Sequence, residues 1–166
     1  MQRCGNRKSG FSLVELVVVI VIIGILAAIA IPRLSRGAGG ARDSSLSSSL
    51  VTIRGAISLY ATEHAGTYPG PTAATFTNQM TMSSNAAGAT VAKKDPTHIF
   101  GPYLAAIPGC PVGENAKSAT ILIDATNSPP GVVTTGGEGW VYNPTTGEFV
   151  ANTTQTDDAG KAYNIY

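Results

Sequence analysis

The chain is poor in the residues from which most chemical sites are built. It holds two cysteines, two histidines and few charges, which make up 13% of its 166 residues. Cys4 lies in a short basic segment at the start, and Cys110 is far away, so no disulfide framework follows. Cys110 reads as a small buried hydrophobe. His64 and His98 are isolated from each other and from any nucleophile pattern. No G-x-S-x-G, H-E-x-x-H, Walker loop or Rossmann glycine pattern occurs, so nothing points to an enzyme. Basic residues are not interleaved with aromatics, which argues against a nucleic-acid surface. Asn152-Thr153-Thr154 matches a glycosylation sequon, a triplet that arises often by chance.

What is abundant is unevenly placed. Residues 11–31 (FSLVELVVVIVIIGILAAIAI) carry one charge, Glu15. A helix of this length spans about 30 Å, the thickness of a bilayer's hydrocarbon core. Residues 1–10 hold Arg3, Arg7 and Lys8 and no acid; without them 8 basic residues face 10 acidic ones, a net charge of −2. The remainder is rich in Gly, Ala, Ser, Thr and Asn, so its core is small and gains from packing on a helix, on neighbours or around a metal.

Three readings of the N-terminus compete. A secretory signal peptide explains the basic start and Ala28-Ile29-Ala30, but its apolar region is usually 7–15 residues and carries no acid. A plain anchor explains the length but not Glu15, since a charge at the centre of a membrane helix costs roughly 2.5–3.5 kcal/mol and such residues usually have a partner. The third accounts for all the features together. Gly10-Phe11-Ser12-Leu13-Val14-Glu15 resembles the leader junction of type IV pilins and type II secretion pseudopilins, with a short basic leader before it and an apolar run ending at Pro32.

That resemblance implies cleavage between Gly10 and Phe11 and N-methylation of Phe11 by a membrane peptidase. It implies an assembly role for Phe11, Glu15 and Pro32. Glu15 would meet the protonated amine of Phe11 on an adjacent subunit, a pairing that rewards one stagger and penalises others. Gly24 would let helices approach closely in lipid. Pro32 with Gly37, Gly39 and Gly40 makes residues 32–40 weak helix, and in assembled family members part of this region loses helical order.

Further along, Leu46, Leu50, Ile53, Ile57 and Tyr60 recur at steps of 4, 3, 4 and 3, one face of a helix over 41–65. Gly66 is its expected cap, and Tyr68-Pro69-Gly70-Pro71 stops it. Phe76 and Met80 mark a short helix near Thr75–Met82. Ala119–Asp124 reads as a strand, and Gly139–Asn143 with Glu148–Asn152 as a hairpin across Pro-Thr-Thr-Gly. The expected fold is α+β: a long N-terminal helix packed on a small antiparallel sheet. The expected divisions are a leader (1–10), a transmembrane and assembly helix (11–31), a kinked linker with an amphipathic helix (32–66) and a periplasmic head (67–166).

Tyr60, Tyr68-Pro69, Phe76, Gly101-Pro102-Tyr103-Leu104 and Gly139–Asn143 together are similar to major pseudopilins of type II secretion. The resemblance implies a structural subunit polymerising in the inner membrane and periplasm to drive export. Its partners would be like subunits, the prepilin peptidase, an assembly platform with its ATPase, and membrane lipid, with no nucleic acid. A surface type IV pilus for adhesion, twitching or DNA uptake is the alternative, as is a tethered periplasmic binding module that never polymerises. Many type IVa pilins close a C-terminal loop with a disulfide, whose cysteine pair this chain does not have. Major pseudopilins also carry a calcium site near the C-terminus. Here Asp157 and Asp158 are its candidate ligands, with Asn152 where a second carboxylate is sought.

Overall fold

The computed structural model describes residues 11–166, with backbone alone for 31–36. The leader, including Gly10, lies outside the described residues. The chain parts into two compact units between Ala38 and Gly39. Helix α1, Leu13–Glu63, passes through both. It is helical across 32–40, so the single chain keeps its backbone helical through the segment expected to weaken on assembly. Loss of one hydrogen bond at Pro32 does not by itself end a long helix whose other bonds persist.

In the first unit, Leu13–Ala30 has a mean hydropathy of 3.1, and none of it is buried. Apolar residues surround the helix rather than forming one stripe, the pattern of a helix meant for an apolar surrounding. Glu15 falls in the first turn, where the free N–H groups of the helix end favour a negative charge.

The second unit is built on the seam read from the sequence. Leu46, Leu50, Ile53, Ile57 and Tyr60 are all at most 2% exposed. The outer face of the same stretch satisfies its own hydroxyls: Ser44, Thr52, Ser58 and Thr62 each donate to the carbonyl four residues earlier. The helix ends as expected. Ala65 and Gly66 turn left-handed (φ 54° and 84°), and the Gly66 amide donates to Ala61 O at 2.7 Å, a cap geometry that glycine adopts without strain. Helix α2 spans Ala73–Thr81, two residues earlier at its start than expected, because Thr72 caps it by accepting from the Thr75 amide. Its Phe76 and Met80 are fully buried.

Five short strands follow: β1 (Ser83–Ser84), β2 (Thr90–Val91), β3 (Ile121–Ile123), β4 (Trp140–Tyr142) and β5 (Phe149–Ala151). β1 and β2 pair antiparallel, and β4 and β5 form the expected hairpin, with Val141 opposite Val150. The departure is β3, which runs parallel to β4, making the three-stranded sheet mixed rather than wholly antiparallel. The connection between β3 and β4 is long enough to return the chain to the starting end. It is held by side chains: Asp124 accepts from the amides of Thr126, Asn127 and Gly131, and Asn143 donates to Asn127 O.

Aromatic rings fill the core between α1, α2 and the sheet. Phe76 lies 4.4 Å from Tyr142, and Trp140 lies 5.2 Å from Phe149, between ring centres. Their polar ends find carbonyls. Trp140 Nε1 donates to Pro108 O at 2.8 Å and the Tyr142 hydroxyl to Pro69 O at 3.0 Å, tying the connector and the first loop to the sheet. The architecture is α+β, consistent with a pilin fold.

Candidate functional site

Two parts of the molecule carry candidate residues. The first is the helix Leu13–Ala30. Phe11 is 85% exposed, and the apolar side chains after it stand open. A Cβ added at Gly24 would meet nothing within 4 Å. The glycine is therefore not required by the chain's own packing.

The second part is the C-terminal tail of the other unit. Asp157 and Asp158 lie in a turn that the tail builds for itself. Asp157 Oδ1 accepts from the amides of Ala159 and Lys161, both at 2.8 Å, and its Oδ2 accepts from the Tyr166 hydroxyl. These bonds, the tyrosine's first, hold the Asp157 carboxyl below its ordinary range. The same bond pushes the Tyr166 phenol up to about 12, and Lys161 Nζ sits 4.0 Å over that ring.

A calcium ion needs six to eight oxygens arranged around a shaped loop. The Asp157 oxygens are already engaged by protein donors. Asn152 is 1% exposed and stitches a loop instead, accepting from Val133 N and donating to Val133 O and Glu138 O. Among the described residues no group of three or more His, Cys, Asp or Glu side chains is placed to hold a metal. The burial of Asn152 and Thr153 also closes the sequon to modification.

The tail contacts that sequence reasoning missed run back to α1. The Tyr163 hydroxyl donates to Asp43 Oδ1 at 2.8 Å. Burial, then that bond, pushes its phenol up to about 12. Arg54 donates through Nε and Nη2 to Phe149 O, and through Nη2 to Tyr166 O at 2.8 Å. Asp158 lies against Gly39, where a Cβ would sit 2.8 Å from its Oδ2. A signal existed: Asp43 and Arg54 extend the Leu46–Leu50 face by helical steps, so charges continue a buried seam.

Ser84 and His64 lie in the interior of this unit. Ser84 and His64 approach to 3.2 Å, but Ser84 is fully buried, while the His64 ring stacks on Tyr60 and contacts the carbonyls of Tyr60 and Asn85. Cys110 is buried as expected, its thiol donating to Val112 O, and burial raises its pKa.

Comparison with known proteins adds one finding at the N-terminus. A family model, the prokaryotic N-terminal methylation motif, matches residues 5–31. The matched stretch, 27 of the 166 residues, is a type IV pilin-like leader with its methylation motif. No curated protein and no solved structure matches the chain.

Proposed function

We propose that the protein is a subunit of a type II secretion pseudopilus. It is cut between Gly10 and Phe11, methylated on Phe11, and polymerised through residues 11–31 to push folded proteins outward. The observation that carries this reading is the apolar helix Leu13–Ala30, none of it buried, placed within the methylation motif and bearing one acid at its first turn.

In this reading the helix waits in the inner membrane with the Gly39–Tyr166 unit in the periplasm. Glu15 finds the Phe11 amine of a neighbour when subunits join, and Gly24 lets the helices close. The segment 32–40 gives up helical order only in the filament. An ATPase below the assembly platform supplies the work.

Mass determination of the mature protein tests the processing step. The expected mass corresponds to residues 11–166 plus one methyl group. A mass that retains residues 1–10, or one that begins after Ala30, overturns the reading. Deletion of the gene separates the destinations: exoproteins trapped in the periplasm support secretion, whereas loss of surface fibres with normal export makes it a surface pilus. Calcium is tested on the full chain in detergent. Melting midpoints in calcium and in chelator are expected to coincide, and a higher midpoint in calcium would restore Asp157 and Asp158 as ligands.

A further inference from the structure

We infer that the tail Asp157–Tyr166 is a latch that keeps residues 39–54 of α1 helical, and so fixes how far unravelling of the weak segment 32–40 can spread. It rests on the proposed assembly role only for its purpose; the latch itself belongs to the single chain.

The argument begins with helix strength. Residues 39–54 include Gly39, Gly40, five serines (Ser44, Ser45 and Ser47 to Ser49, the first four exposed) and Thr52. Glycine costs about 1 kcal/mol relative to alanine in a helix, and serine and threonine cost less but still weaken it. Such a stretch depends on tertiary contacts rather than on intrinsic preference. Among the described residues its buried apolar side chains begin at Leu46. Before that residue the contacts found come from the tail: Asp158 against Gly39 and Tyr163 on Asp43. Further along, Arg54 reaches Tyr166 O. The three points span 15 residues of α1, roughly 22 Å at 1.5 Å per residue.

One side chain, that of Asp157, links the two ends of the tail. Asp157 fixes the turn through Ala159 and Lys161 and anchors Tyr166 through its hydroxyl. The turn closes with the Asp157 amide on Lys161 O and the Tyr163 amide on Gln155 O. Asp157 therefore controls a grip on α1 without touching α1. The glycine at 39 suits this arrangement, because a side chain there would meet the Asp158 carboxylate.

Hydrogen exchange on the full chain in detergent micelles, read by mass spectrometry, tests the latch. Asp157→Ala should release the tail, seen as faster exchange in 157–166, and speed exchange in 39–50 by at least about tenfold, the size expected for losing one or two hydrogen bonds to charged groups. Exchange in 73–81 and 140–151 should stay as in the parent. Tyr163→Phe, which removes one hydroxyl, should give the same pattern at smaller size. If the tail exchanges freely in Asp157→Ala while 39–50 stays protected, the latch is overturned. Uniform acceleration across the whole unit in both variants overturns it too, because the tail would then be ordinary core. Neither result depends on whether the protein forms filaments, so this test and that of the proposed function fail independently.

Discussion

Two stretches of one helix live by different rules. Between Leu13 and Ala30 the large apolar side chains are all more than 40% exposed, whereas on the seam from Leu46 to Tyr60 the corresponding figures are 2% or less. Backbone geometry is the same in both. What differs is the distribution of apolar residues: all round the first stretch, along one stripe of the second. The first has no cover among the described residues. The second finds its cover in its own sheet and loops.

The sharpest way to break this contrast is at the acid. Glu15→Ala should leave processing and membrane insertion unchanged and reduce filaments, counted by electron microscopy of overexpressing cells, to near none. Normal filaments from this variant would remove Glu15 from assembly. Next in size is the buried stripe. Leu50→Ala should cost about 2–5 kcal/mol, the usual range for a core leucine, read by chemical unfolding of the Gly39–Tyr166 unit within the full chain. A loss below 1 kcal/mol would mean that the seam is not the core.

The tail should show its weakness at high pH. Tyr163 and Tyr166 are both pushed up to about 12 in the folded state, above the ordinary tyrosine value of about 10. Their bonds therefore favour folding fully below pH 10, and that contribution fades as pH climbs through 12. Asp157 is shifted the other way, so its contribution is present above the ordinary carboxylate value and fades in acid. Thermal midpoints measured from pH 9 to 12 should fall, and Tyr163→Phe should fall less. The smallest effect belongs to the outer face. Val51 is 72% exposed, and Val51→Ala should change stability by less than about 0.5 kcal/mol.

The sequence disclosed these regions unequally. Leu46 to Tyr60 were legible because a helical stripe repeats over several turns, and Trp140–Tyr142 with Phe149–Ala151 because a short turn joins them. β3 was legible as a strand but not in its direction, since three residues do not record which neighbour they pair with or which way it runs. The grip of Tyr163 and Tyr166 on Asp43 and Arg54 was hidden, because it joins residues more than 100 positions apart through single polar contacts. The role of Asn152 was hidden for a related reason: a buried amide that serves three backbone groups looks in sequence like any loop asparagine.

The closed environment of Cys110 has a practical outcome. With that sulfur sealed among core side chains, where burial raises its pKa, the outside of the Gly39–Tyr166 unit is blank to thiol reagents. With Cys4 replaced, one cysteine placed on it becomes a single addressable point for a dye, a spin label or a crosslinker.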